Sequence, residues 1–266
     1  MQPFLKWAGG KRWLVHQGLP SPKSYERLIE PFAGGAAVFF ALKPPRAVLA
    51  DVNPELINLY EIVRDQPQKL LSVLSWYQAN HNREQYYKTR ARNFTSPLLR
   101  AARMLYLNRT CWNGLYRVNQ RGEFNVPLGT KSSVIMMNDD FELASSILMG
   151  AELCCQDFER TVSIAGAGDF LFVDPPYTVK HNMNSFLKYN ENIFSWDDQV
   201  RLALVLDQAR QRGAAVLVTN ADHQSVRDLY SKHFNYVPVG RQSILSAATH
   251  GRGHTTEALF LANIRA

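Results

Sequence analysis

The stretch from Asp169 to Tyr177, Asp-Phe-Leu-Phe-Val-Asp-Pro-Pro-Tyr, constrains this chain more than any other. A short apolar run bounded by polar or turn residues reads as a strand buried on both faces, as in a parallel sheet. It runs into Pro175 and Pro176, which have no N–H to give to a ladder, so the strand must stop there. What it delivers at its C-terminal end is the carboxylate of Asp174, the rigid carbonyl of Pro175 and the ring of Tyr177. Two acceptors beside a flat ring suit one task, gripping an exocyclic amino group on a planar base. Stacking needs only a π face, so Phe or Trp at 177 is expected to serve as well as Tyr.

The rest of the chain repeats a strand–helix rhythm. Residues 25–30 read as a first strand, broken by Pro31-Phe32-Ala33-Gly34-Gly35, and a helix resumes from Ala36 to Leu42. Residues 46–50 form a second strand ended by Asp51, and a helix follows from Pro54 to about Arg64 with Asn53 as its N-cap. Further strands are expected at 152–155, 170–173 and 214–219, helices at 196–211 and 224–232, and closing strands near 234–237 and 258–262. Such alternation predicts an α/β fold, a mostly parallel sheet with helices on both faces. Residues 54–136 interrupt it with helical periodicity over 67–110 and a hairpin signal over 113–125. The expected organisation is therefore a catalytic domain made of 1–53 and 137–266, with 54–136 inserted as a mainly helical domain containing a β-hairpin.

Composition excludes several classes. No run of 18 or more apolar residues occurs and the first residues lack a signal peptide's regions, so a soluble cytoplasmic protein with no membrane role is expected. Cys154 and Cys155 are adjacent, Cys111 stands alone, and the seven histidines show no metal-ligand spacing, which argues against disulfides and metal. The net charge of +7 is a modest bias toward polyanions.

In a parallel sheet, ligands bind where strand ends meet the following turns. Glu30-Pro31-Phe32-Ala33-Gly34-Gly35 is a tight glycine turn, and Asp51 follows at about the twenty-residue spacing at which an acidic side chain meets a ribose hydroxyl. No further phosphate-binding glycines are present, so a nucleoside cofactor without a pyrophosphate fits better than a dinucleotide. Upstream, Phe4-Leu5-Lys6-Trp7-Ala8-Gly9-Gly10-Lys11 offers an indole to stack and an ammonium to neutralise a carboxylate. The same segment also reads as a hydrophobic anchor followed by a solvated lysine.

The order of these features, a Gly-Gly-Lys segment, Glu-Pro-Phe-x-Gly, a basic insertion and Asp-Pro-Pro-Tyr, resembles the D12 class, or α-group, of S-adenosylmethionine-dependent DNA adenine-N6 methyltransferases, the Dam family. The resemblance covers roughly residues 3–264 and includes Leu107-Asn108-Arg109, Asn113-Gly114-Leu115, Arg117, and Gly122-Glu123-Phe124-Asn125-Val126-Pro127 with Gly129. It implies a Rossmann-like methyltransferase fold with a seven-stranded sheet, S-adenosyl-L-methionine as cofactor and double-stranded DNA as partner. The protein would then be associated with the nucleoid and monomeric. Asp174, Pro175, Pro176 and Tyr177 would hold the target adenine. Trp7, Lys11, Asp51 and Asp174 fall where the family contacts the cofactor, within the segments carrying Gly9, Gly10, Glu30, Pro31, Phe32, Gly34 and Gly35. Asp157 and Phe158 fall where the cofactor's adenine is held. Lys6, Leu115, Arg117 and Pro127 match positions that read GATC, Trp112 the ring inserted into the duplex, and Asn113 and Asn125 flank them. Arg90, Arg92, Arg100 and Arg103 would meet phosphates.

This chain departs from the family at Ala36, where glycine is usual, and after Tyr177, where only Asn184-Ser185-Phe186-Leu187-Lys188-Tyr189 recovers a motif of spaced aromatics. Two rival readings stay open: a methyltransferase for another planar amine, such as cytosine N4, an RNA base or a glutamine side chain, and a DNA-binding protein without chemistry. Asp at the head of the motif argues against the first, and the intact Trp7, Lys11, Asp51, Asp174 and Tyr177 against the second.

Overall fold

A computed structural model describes residues 1–119, 121–180, 194–242 and 254–264. In chain order its elements are α1 (Arg12–His16), β1 (Arg27–Glu30), α2 (Ala37–Leu42), β2 (Ala47–Asp51), α3 (Pro54–Asp65), α4 (Pro67–Ala79), α5 (Arg83–Ala91) and α6 (Pro97–Thr110). A 3₁₀ turn (Trp112–Gly114) follows, then α7 (Phe141–Leu148), β3 (Ala151–Cys155), α8 (Phe158–Ser163), β4 (Asp169–Val173), α9 (Trp196–Gln211), β5 (Ala215–Ala221), α10 (Gln224–Tyr230), β6 (Asn235–Gln242) and β7 (His254–Ala262). The fold is α/β, with a seven-stranded, mostly parallel sheet in the order β3-β2-β1-β4-β5-β7-β6. Contacts divide the chain into two compact units, residues 1–19 with 33–155, and residues 20–32 with 156–266. The stretch 54–136 lies wholly within the first unit.

In the first unit, β2 and β3 run parallel, with Ala47 opposite Ala151 and Asp51 opposite Cys155. Asn53 caps α3 as expected, its Oδ1 accepting from the N–H groups of Glu55 and Leu56, with Pro54 in the first turn. From Ala101 to Thr110 every residue of α6 except Arg103 is buried, which makes α6 the central helix of this unit. Truncating Leu105 to alanine there is worth about 2–5 kcal/mol. The N-terminal segment is tied down through Phe4, whose ring meets those of Phe40, Tyr60 and Phe141 at 5.6–5.8 Å. Arg109 also donates to the Phe4 carbonyl (2.8 Å) while forming a buried ion pair with Asp139. Terminal segments are ordered only by anchors of this kind.

In the second unit, β1, β4 and β5 are parallel, with Leu28 opposite Phe170 and Val173 opposite Val218. β7 runs antiparallel between β5 and β6, with Thr219 opposite Leu259 and Ala221 opposite Glu257. Helix α9 opens with a capping box in which Ser195 and Asp198 satisfy each other's backbone N–H. Tyr230 of α10 stacks on Phe260 of β7 at 5.0 Å.

Sequence reading places β1, β2, β4, β5, α3 and α9 within two residues of their positions here. It passes over α1, α7 and α8, of five, eight and six residues, too short for a helical period to stand out. The segment 184–189 and position 120 lie outside the described residues. Among those described, no helix is long and apolar enough to cross a membrane.

Candidate active site

All five residues of β4 are buried, and one residue beyond its end Pro175 and Pro176 bring no N–H that could extend the ladder. Thr219, fully buried on the neighbouring β5, donates from Oγ1 to Oδ1 of Asp174 at 2.6 Å and so aims the carboxylate. The Tyr177 hydroxyl donates to Oε2 of Glu257 at 2.7 Å, and Glu257 is itself only 5 % exposed. In the β5–β7 register Thr219 lies opposite Leu259 and Ala221 opposite Glu257, so strand alternation puts the Thr219 and Glu257 side chains on one face. Burial, then the charges of Asp174 and Glu257, push the Tyr177 hydroxyl well above its ordinary pKa, which keeps it a donor. Sequence reading gives a use to the ring of Tyr177 alone; the structure adds a buried carboxylate as partner of its hydroxyl. Asp174, Pro176 and Tyr177 keep part of their surface exposed, whereas Pro175 is buried.

In the same unit, Glu30 and Pro31 are buried at the end of β1. The half-buried Phe32 stacks on Phe158 (5.4 Å, 26°), and Phe194 meets both rings edge-on. Phe158 is 3 % exposed and has the Arg201 guanidinium 4.2 Å from its ring centroid. Asp157 caps α8 through the Glu159 N–H and is held by both terminal nitrogens of Arg201. Phe32 is therefore the aromatic residue of this trio that keeps surface for a ligand.

In the first unit, the turn after Ala33 is built around Asp51. The Gly34 N–H donates to Asp51 Oδ2 (3.1 Å), the Asn53 N–H to Oδ1 (3.0 Å), and the Tyr60 hydroxyl to the Gly34 carbonyl (2.6 Å). Burial pushes the Asp51 carboxyl above its ordinary pKa, against the lowering effect of the N–H donors of Asn53, Gly34 and Val52. Gly34 has φ of +47°, and a Cβ there would stand 2.9 Å from Cδ1 of Trp7; one at Gly35 would stand 3.2 Å from the Trp7 Cβ. These glycines thus make room for the indole of Trp7, in addition to any ligand. Ala36 adopts the left-handed conformation (φ +48°) that glycine adopts without cost. Trp7 stacks on Tyr116 at 5.2 Å. Gly10 closes a turn onto the Trp7 carbonyl, and Lys11, only 2 % exposed, donates to the Gly9 carbonyl at 2.7 Å. The solvated-lysine reading does not hold.

The expected DNA-reading residues also lie in the first unit. Asn108 is fully buried and grips Lys6 from both sides: its Oδ1 accepts the Lys6 N–H (3.1 Å), and its Nδ2 donates to the carbonyls of Lys6 (2.7 Å) and Gly114 (3.3 Å). The Lys6 ammonium in turn donates to the Asn113 carbonyl. Burial and the nearby Lys131 lower its pKa. Trp112 is 53 % exposed, so it is not a core residue, and its N–H donates to the Pro127 carbonyl. The hairpin is held by one bridge, Val118 to Phe124, by the bond from Arg117 Nε to Asn125 Oδ1 (2.9 Å), and by Asn119, which accepts from the N–H groups of Arg121 and Glu123. Leu115 is half-buried, and Pro127 is exposed.

Among the expected phosphate contacts, Arg92 is exposed with its guanidinium over Phe94, and Arg90 lies over Tyr87 while donating to the Val126 carbonyl. Arg100 and Arg103 are half-buried and already have partners within the fold. Arg100 pairs with Glu55 at 2.6 Å, and Arg103 donates to the carbonyls of Thr89 and Arg90. Cys111 is buried, its thiol pushed up to about 11 by burial, as an inert structural thiol would be. Among the described residues no cluster of His, Cys, Asp or Glu could hold a metal ion.

Residues 7–244 match the family of D12 class N6 adenine-specific DNA methyltransferases. The chain belongs to that family. A relative, the Type II methyltransferase M1.LlaDCHI of Lactococcus lactis subsp. cremoris, is 36 % identical over 97 % of this chain and 94 % of its own. The DNA adenine methylase of Serratia marcescens is 36 % identical over 97 % of each chain, and that of Vibrio cholerae 33 % over 97 % of this chain and 95 % of its own. As a D12-class enzyme this protein transfers a methyl group to N6 of adenine in DNA. Thr219, Glu257 and Tyr116 carry no motif and were missed by sequence reasoning. The one signal for Glu257 is a carboxylate at the head of the apolar run Ala258-Leu259-Phe260-Leu261.

Proposed function

We propose that this D12-class enzyme uses S-adenosyl-L-methionine to methylate an adenine flipped out of duplex DNA, within the sequence GATC. The observation that carries this reading is the end of β4, where Thr219 aims the Asp174 carboxylate next to a tyrosine ring anchored by its hydroxyl. When bound, S-adenosylmethionine supplies an electrophilic methyl group on a positively charged sulfur. Asp174 and the Pro175 carbonyl accept hydrogen bonds from the two N6 N–H groups, which counters delocalisation of the nitrogen lone pair and holds it ready for methyl transfer, with one of the two protons released from N6 once the new C–N bond has formed. Positioning and electrostatics supply the acceleration, so no covalent enzyme intermediate and no cysteine is required. Extruding the base costs a few kcal/mol. Stacking on Tyr177 returns about 1–3 kcal/mol of that.

The residues present fit the cofactor. Within the first unit, Asp51, fixed by two backbone N–H groups, suits a pair of ribose hydroxyls, Trp7 offers apolar surface, and Lys11 a cation for a carboxylate. Residues 54–136 serve as the DNA reader, in which Arg117 would be bidentate to guanine O6 and N7, with Lys6, Leu115 and Pro127 beside it. Trp112, more than half exposed, is suited to fill the gap left by the extruded base. Because GATC is a palindrome, a monomer can treat each strand in turn, and a nucleoid-associated cytoplasmic enzyme follows from such a substrate.

Labelled-methyl transfer to duplexes with and without GATC tests this reading. Asp174→Ala, verified as folded, is expected to lose more than a hundredfold in rate, and a loss of less than tenfold would refute the mechanism. N6-methyladenine confined to another motif in an otherwise unmethylated host would refute the recognition.

A further inference from the structure

We infer that Glu257 is a positioning residue for methyl transfer, holding the Tyr177 ring at a fixed attitude through its hydroxyl. This rests on the reading above, in which Tyr177 stacks on the target adenine. A tyrosine that needs only to stack has no use for a buried hydroxyl partner, yet its hydroxyl meets a carboxylate that is 5 % exposed. A buried carboxylate is a strong, fixed acceptor, so the charge-assisted bond from the Tyr177 hydroxyl ties the tip of the ring to the sheet. The placement is rigid. Glu257 lies within β7, which is paired on both sides, to β5 through Ala221 and to β6 through Val239.

The geometry also joins this pair to the acceptor. Thr219, two register steps along the same face from Glu257, donates to Asp174, the residue that leads the strand end carrying Tyr177. One sheet face thus sets both the carboxylate that would accept from N6 and the ring that would support the base. With its hydroxyl untethered, a side chain free to swing about χ1 would carry the ring aside and leave the extruded adenine bound but out of line with the methyl group, and a misplacement of about 1 Å costs about a hundredfold. The hydroxyl bond acts on the chemical step more than on DNA affinity.

The test measures the single-turnover methyl-transfer rate and DNA affinity for Glu257→Leu, Glu257→Gln, Tyr177→Phe and the double variant Glu257→Leu/Tyr177→Phe, with Asp174→Ala alongside. Glu257→Leu and Tyr177→Phe are each expected to lose about tenfold or more in rate with affinity changed less than threefold. The double variant is expected to lose no more than the worse single one, and Glu257→Gln, which keeps a carbonyl acceptor, to recover most of the rate. Fluorescence of 2-aminopurine at the target position reads the same contact without chemistry, and Glu257→Leu is expected to alter the signal of the bound, extruded base. A Tyr177→Phe rate within twofold of wild type overturns the proposal, whether or not Glu257→Leu folds. So does equal loss in the Gln and Leu variants with additive behaviour in the double variant. If Asp174→Ala keeps its rate, the mechanism itself has failed; if Asp174→Ala is dead while the Glu257 and Tyr177 variants are active, only the present inference has.

Discussion

Replacing Asn108 by alanine removes one fully buried side chain and the three hydrogen bonds it makes to the backbone of Lys6 and Gly114. Two of these are well formed at 3.1 and 2.7 Å, and the third, at 3.3 Å, is weak. A net bond is worth about 0.5–1.5 kcal/mol, and a backbone group left buried without a partner costs about 1–3 kcal/mol. Lys6 is exposed, so water recovers part of the loss on its side. A destabilisation of about 2–4 kcal/mol follows, measurable as a lower urea midpoint with an unchanged slope. The same change releases the backbone of Lys6, so under the proposed reading, in which Lys6 contacts a base of GATC, discrimination against a duplex altered at that pair is expected to relax. Asn108→Asp sharpens the test by turning the donor that faces two carbonyls into an acceptor. Burial would raise the new carboxyl above its unfolded pKa, so this variant would be most stable below about pH 4 and lose stability as the pH rises through the folded value. An Asn108→Ala protein within 0.5 kcal/mol of wild type with intact discrimination would refute the reasoning, 0.5 kcal/mol being about the scatter of a neutral surface change.

Gly34→Ala forces a Cβ into the Trp7 indole at 2.9 Å in a left-handed backbone, and is expected to weaken S-adenosylmethionine binding by about tenfold or more; calorimetry showing unchanged affinity would count against the Trp7 assignment. Arg117→Ala should cost about 1–3 kcal/mol of discrimination at one base pair, whereas Arg92→Ala should weaken all sequences alike and reduce the salt slope by about one, both read from binding titrations. Because the folded pKa of Asp51 is raised, its carboxylate takes up a proton at a higher pH than an ordinary aspartate as the pH falls. Cofactor affinity should therefore decline on acidification before other carboxylates titrate. Asp51→Asn should flatten that dependence, and a wild-type affinity that holds level through the same range would refute the assignment. The same sign makes Asp51 cost stability at neutral pH, a cost relieved as the pH falls through the raised value.

The strands β2, β4 and β5 were legible because each is a mostly apolar run closed by a polar residue or proline, β1 because Pro31 and the glycine turn end it, and α3 because Asn53-Pro54 caps it. These are local signals. The place of β7 between β5 and β6 is not local, and nothing in its nine residues states which neighbours it will take. The site divides in the same way. Asp174 and Tyr177 stand out because prolines set them at a strand end, while Thr219 and Glu257 are ordinary strand positions until register makes them partners. Arg100 and Arg103 show the converse: two cations on a helix read as phosphate ligands, and in the fold one meets Glu55 45 residues away and the other two carbonyls at the end of α5. A charge advertises itself in sequence, and its partner does not.

The late arrival of β7 has a consequence for how the molecule is made. β6 emerges from synthesis first but cannot dock on β5, because its neighbour in the sheet is β7, which pairs β5 along Val216 to Ala221. A ribosome-bound chain lacking β7 therefore holds β5 with an open edge, the state in which strands seek wrong partners. Glu257 arrives on that same strand, so the support of the Tyr177 hydroxyl is absent until the sheet is complete. Closing the sheet and setting the ring are one event, and a nascent chain short of it carries the recognition motifs without the finished site.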